Sequence, residues 1–354
     1  MFVIRTRQTS VINKPVPRVT AFAFSVALLA MRPAGAKSLL ETINLPVSPG
    51  SAQHITLHCA GPKRRSDRAV LFIHGASFPA MLAEGFEFTR GDSWMDFMAK
   101  EGFLSCGLDF LGYGASSRPH ALYAAPTGNL PLLRAPEAAR EIAVAVGYMR
   151  NKRGIDEMDI IAHSWGTIPA ATFAARHPGA LTSLTLFGPI VPKTGSEPQS
   201  EHIAWWNITA KERLQQLYFK KVLPPGLVLL ESAVTERWAQ EFEASAPHIT
   251  GDRPGAIRVP DGPVADIEAA NADIYPYVPS HVTAPILMVY GNYDMEANKP
   301  GSQPAAFLAR FTSSPLKWQL CIYDGTHVMH LERNRESLYE SVLGFIRTTE
   351  QLGK

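Results

Sequence analysis

From about Ser51 onward, short apolar runs alternate with longer amphipathic ones. His54–Cys59 reads as a strand, and AVLFI (69–73) as one buried on both faces. Ser93–Lys100 has helical spacing and stops at Gly102; Phe103–Leu108 is the next strand. Pro136–Arg153 predicts a long helix, with Pro in its first turn and Gly154 just past its end. Met158–Ala162 is a strand, Trp165–Arg176 a helix and Leu181–Phe187 a strand. After an irregular stretch, Pro285–Tyr290, Phe307–Phe311, Trp318–Tyr323 and Glu336–Thr348 complete the alternation. Strands alternating with helices predict an α/β fold, a mostly parallel central sheet covered by helices on both faces. In such sheets the functional groups sit on loops at the carboxyl ends of strands.

The first 36 residues break the pattern. They carry Arg5, Arg7, Lys14, Arg18 and Arg32 with no Asp or Glu, then an apolar run from Ala21 to Met31, then Pro33 and Ala34-Gly35-Ala36. A basic region, an apolar region and a small-x-small site predict an export signal cleaved after Ala36. An uncleaved anchor, an organelle transit peptide or a tail on a cytoplasmic protein are the other readings of the same residues. Removing the segment shifts the balance from +2 (34 basic against 32 acidic) to −3 (29 against 32). The mature chain therefore has no basic excess to suggest a nucleic-acid partner. No run reaches the eighteen apolar residues of a membrane span. Cys59, Cys106 and Cys321 each lie in a run that reads as a buried strand. An oxidising compartment would permit one disulfide among them, unassignable from sequence.

The strand ending at Ala162 leads into His163-Ser164-Trp165-Gly166 and then a helix. A serine between strand and helix, with small residues two before and two after, is the nucleophile-elbow pattern. A serine hydroxyl needs a base, and the oxyanion formed by its attack needs donors. The buried strand AVLFI ends in His74-Gly75-Ala76-Ser77, the place for an oxyanion loop, with the backbone amides of Ala76 and Trp165 as the two donors. After the last strand comes Asp324-Gly325-Thr326-His327, which makes His327 the base and His330 its rival. After the preceding strand comes Gly291-Asn292-Tyr293-Asp294. Asp294 is the acid that would fix the imidazole tautomer, with Asp324 and Glu296 as competitors. His163 reads as structural. His327-x-x-His330 with Glu332 could mimic a metal pair, but no third ligand cluster supports one. This chemistry needs no metal or organic cofactor.

With HGAS (74–77), DFLGYGASSRP (109–119), AHSWGT (162–167), YGNYD (290–294) and GTHVMHLE (325–332) in order, the chain resembles the α/β-hydrolase superfamily over residues 50–348. It resembles the branch with a helical cap inserted between strands 6 and 7. The resemblance implies a core in two parts, 37–191 and 280–354, with a cap at 192–279 lying over Ser164. It marks the loop at 109–119 as a structural rim of the site. Serine at the elbow, where some relatives carry aspartate, argues against haloalkane dehalogenase and epoxide hydrolase. Phe78, Trp205 and Trp206 are expected pocket residues, with Phe86, Phe88 and Trp165 adding an apolar wall. The implied activity is hydrolysis of a small-molecule carboxylic ester. The rival is an aminopeptidase similar to proline iminopeptidases, with Glu201, Glu231 or Glu236 binding the substrate amine. Carbon–carbon bond hydrolysis, lactone hydrolysis, perhydrolysis and a silent binding fold share the same framework.

Overall fold

The structure is a computed structural model that describes residues 40–62, 65–198, 201–217, 223–298 and 300–352. The segment 1–36, with its expected cleavage after Ala36, lies outside them. The strands in chain order are β1 (Leu40–Pro46), β2 (His54–Ala60), β3 (Arg68–Ile73), β4 (Leu104–Asp109), β5 (Glu157–His163) and β6 (Ser183–Phe187). They continue with β7 (Trp205–Thr209), β8 (Ala256–Pro260), β9 (Ile286–Gly291) and β10 (Lys317–Ile322). Eight of them form one sheet in the order β1-β2-β4-β3-β5-β6-β9-β10. Pairing is parallel from β4 to β10, and β2 alone runs antiparallel to both of its neighbours. The central strands carry apolar residues on both faces because helices cover both, whereas β10 at one edge is largely exposed.

The helices are α1 (Trp94–Lys100), α2 (Ala135–Arg153), α3 (Thr167–Arg176), α4 (Ala210–Leu217), α5 (Ser232–Ala244), α6 (Gly262–Asn271), α7 (Pro304–Ala309) and α8 (Arg335–Leu352). On one side, Trp94, Met95 and Met98 of α1 and Tyr339, Val342 and Phe345 of α8 pack on Val70, Phe72 and Val289. On the other, Ile142, Met149, Ile168 and Phe173 of α2 and α3 pack on Leu71, Ile160 and Met288. Helix α1 starts in a reciprocal cap: Ser93 Oγ accepts from the Asp96 amide at 3.0 Å, and Asp96 accepts from the Ser93 amide at 3.3 Å. Helix α2 stops at Gly154 in the left-handed conformation, where glycine carries no side-chain penalty.

The segment between the sixth and seventh strands of the large sheet is not purely helical, contrary to expectation. Besides α4, α5 and α6 it holds an antiparallel ribbon in which Trp205–Thr209 pairs with Ala256–Pro260. Trp205 and Ile208 are the buried positions of the first strand, and its partner lies some fifty residues away. Of the three cysteines, one departs from the sequence reading. Cys59 and Cys106 sit opposite each other on β2 and β4 and form a disulfide, with Cα atoms 4.1 Å apart. Cys321 is exposed rather than buried, because β10 is an edge strand.

Candidate active site

The order of strands reverses around β3, so the loops after β3 and β5 leave the sheet side by side at its carboxyl edge. Ser164 opens the second of these loops with φ of 55°, a backbone conformation that few non-glycine residues adopt and that lifts the side chain off the sheet. Gly166 makes this turn feasible. A Cβ there would lie 2.5 Å from the His74 carbonyl oxygen and 2.7 Å from that of Ile73. Thr167 Oγ1 ties the turn down by donating to the Ser164 carbonyl at 2.7 Å.

Ser164 Oγ lies 2.7 Å from His327 Nε2, and His327 Nδ1 lies 2.9 Å from Asp294 Oδ1. A carboxylate can only accept, so Nδ1 donates to Asp294 and Nε2 is left to accept the serine proton. Asp294 is held in turn by the amides of Glu296 and Ala297, at 2.8 and 3.2 Å. Gly188, after β6, lets this pair approach. A side chain there would meet both Asp294 Oδ2 and His327 Nδ1 at about 3 Å. All three side chains are buried. Burial opposes charging of His327, but the charge and hydrogen bond of Asp294 outweigh it and carry the imidazole above its ordinary pKa.

The competitors fall elsewhere. His330 is buried against His163 and Phe187, touches neither Ser164 nor Asp294, and is pushed down to about 3 by burial and by His327. Asp324 is exposed, and Glu296 pairs with Lys193 at 2.6 Å. Glu332 accepts from the amide and hydroxyl of Thr326 and so shapes the loop bearing His327. His163 is more than filler: its Nε2 donates to the His327 carbonyl at 2.8 Å and fixes the backbone of the histidine loop.

The loop after β3 lies against the serine, since a Cβ on Gly75 would come within 2.9 Å of Ser164 Cβ. The Ala76 amide donates no hydrogen bond among the described residues. The next residue, Ser77, has φ of 75° and gives its amide to the Tyr113 hydroxyl at 3.2 Å. Asp109 organises the surroundings by accepting from the amides of Ala80 and Ala115 and from His58 Nε2. Burial raises its pKa, but the His58 and backbone bonds hold it below the ordinary value.

The expected pocket residues divide. Phe78 is fully buried, edge-on to Trp238 of α5 at 5.4 Å, and so joins the β3 loop to the cap segment. Trp206 is partly buried against the main core. Trp205 packs in a separate cluster with Leu122 and Ala204, and its indole donates to the Ala124 carbonyl. Phe86 and Phe88 lie beneath Arg237 and Arg335. Trp165 is no apolar wall either. It is fully buried and its indole donates at 3.0 Å to Asp266 of α6, which also takes Arg134 Nε and the Ala135 amide at 2.6 Å each. From the cap segment, Arg213 of α4 reaches the same loop and donates to the Ala76 carbonyl at 3.2 Å. Sequence reasoning missed Gly188, Asp266 and Arg213, because nothing near them in the chain marks partners some hundred residues away.

Residues 68–295, well over half of the chain, match the alpha/beta hydrolase fold family. A probable lysophospholipase, BODYGUARD 2 of Arabidopsis thaliana, is 32% identical over 144 residues, which cover 40% of this chain and 27% of that protein. The chain thus spans about a quarter of the length of that relative. Among solved structures, a membrane phospholipase A described as a bacterial virulence factor matches with a TM-score of 0.54 at 17% identity, covering 88% of this chain and 87% of that one. The epoxide hydrolase VrEH1 from Vigna radiata matches with a TM-score of 0.56 at 14% identity, covering 89% and 100%. At these identities the two structures share the fold.

Proposed function

Because the chain belongs to the α/β-hydrolase fold family, we propose that it hydrolyses a carboxylic ester through an acyl-enzyme on Ser164. The observation that carries this reading is the contact chain from Ser164 Oγ through both ring nitrogens of His327 to Asp294. In the first step His327 Nε2 takes the hydroxyl proton as Ser164 Oγ attacks the carbonyl carbon. The amides of Ala76 and Trp165 receive the oxyanion, and Asp294 stabilises the imidazolium. His327 then protonates the departing alkoxide. In the second step it deprotonates a water that attacks the acyl carbon, and the returning proton frees Ser164.

A serine in the elbow favours acyl chemistry over the epoxide opening named for one structural neighbour. Ester hydrolysis also agrees with the names lysophospholipase and phospholipase A among the similar proteins. The aminopeptidase reading gains nothing from the structure, since Glu201, Glu231 and Glu236 are all exposed. We include export after Ala36 in the proposal, and the disulfide supports it, because such bonds persist in oxidising compartments. Ser164→Ala is expected to abolish both p-nitrophenyl ester turnover and labelling by a fluorophosphonate. Undiminished turnover in that variant would overturn the assignment.

A further inference from the structure

We infer that Arg213 anchors a negative charge on the substrate, so that the preferred ester carries a carboxylate or phosphate within a few bonds of its scissile carbonyl. This deepens the ester-hydrolase reading and rests on it.

The cap segment has four arginines, and three have a carboxylate partner: Arg237 with Glu241, Arg253 with Glu212, and Arg258 with Asp252. Arg213 has none among the described residues. Its guanidinium donates to two neutral acceptors, the Ala76 carbonyl at 3.2 Å and Gln216 Oε1 at 3.0 Å. Its Nε is buried and has no hydrogen-bond partner among the described residues. Glu296, the acid whose charge it feels, is already bound to Lys193. The residue is partly buried with its Nε closed off from water, and burial brings this guanidinium down to about 10 while leaving it charged at neutral pH.

Its location says what the charge serves. The Ala76 carbonyl belongs to the loop that lies against Ser164, and the Arg213 charge makes both His163 and His327 harder to protonate. The guanidinium also stands 5.8 Å from the Phe78 ring, on the cap side of the loop. A planar guanidinium with unfilled donors is suited to a forked pair with a carboxylate or phosphate, and such a ligand supplies the missing counter-charge. A merely structural link between α4 and the loop would need no charge, because its acceptor is a neutral carbonyl.

The experiment compares kcat/KM within two matched pairs: mono-p-nitrophenyl glutarate against p-nitrophenyl pentanoate, and an acylglycerol phosphate against the same acylglycerol. The wild-type chain is expected to favour the charged member of at least one pair by about 10- to 100-fold. Which pair shows it tells a carboxylate from a phosphate. Arg213→Gln should erase that preference, and Arg213→Lys should restore part of it. No charge preference in either wild-type pair, or equal losses on charged and neutral esters in Arg213→Gln, would overturn the inference while leaving the esterase intact. Absence of fluorophosphonate labelling in the wild type would instead remove the ester-hydrolase reading, and this inference with it.

Discussion

At the scale of single residues, Asp294 offers the sharpest test of the site's electrostatics. Its carboxylate raises the His327 pKa against the effect of burial. A base works only when deprotonated, so kcat/KM should rise with pH through a midpoint above the ordinary histidine value of about 6.5. Asp294→Asn removes the charge and can donate to the ring, favouring the wrong tautomer. It should lower kcat on the order of 10³- to 10⁴-fold and move the acidic limb of the pH profile downward. A limb that stays put in the variant would show that another group sets it. Ser164, Asp294 and His327 were legible in the sequence because each stands on a loop directly after a strand, where local pattern and sheet topology give the same answer. Arg213 was not, since α4 (AKERLQQL) is polar on most of its surface and reads as solvent-facing. Its environment comes from Ala76, 137 residues earlier. The packing of Trp205 with Leu122 and Ala204 was equally hidden, because composition cannot tell a pocket wall from the packing of a cap.

At the scale of elements, α6 ties the cap segment to the elbow. Asp266 is buried and accepts from the indole of Trp165, the guanidinium of Arg134 and the first amide of α2, where a carboxylate also complements the helix dipole. Asp266→Ala leaves three donors without their acceptor and should cost about 3–5 kcal/mol, read as a shift in the denaturation midpoint. It should also depress kcat, because Trp165 supplies an oxyanion amide in the proposed mechanism. Asp266→Asn keeps one oxygen for Trp165 and Ala135 and should lose clearly less. If the alanine variant matches the wild type in stability, α6 is not the anchor. The buried strands and the long helices followed from apolar periodicity, but β1, β7 and β8 did not. Strand β1 is mostly exposed and β7 pairs with a distant partner, so neither shows the apolar run or the near turn that betrays a strand in sequence.

At the scale of the whole molecule, the disulfide and the proposed export of the chain make one joint prediction. Cys59 and Cys106 close a loop with a sequence separation of 47, between the two strands that pair antiparallel near the sheet's β1 edge. Loop-closure entropy for that separation corresponds to about 4 kcal/mol of stabilisation. A chain that folds after export gains this. One that stays in a reducing cytoplasm does not. Protein recovered from the exported fraction should therefore begin at Lys37 and, denatured without reductant, show one reactive thiol per chain, that of Cys321. Reduction should raise the count to three and lower the melting temperature by several degrees. An intact leader together with three free thiols in the native producing cell would place the enzyme in the cytoplasm. The cross-link would then contribute nothing to its working stability, and the sheet's β1 edge would hold by the β2–β4 ladder and the His58–Asp109 bond instead.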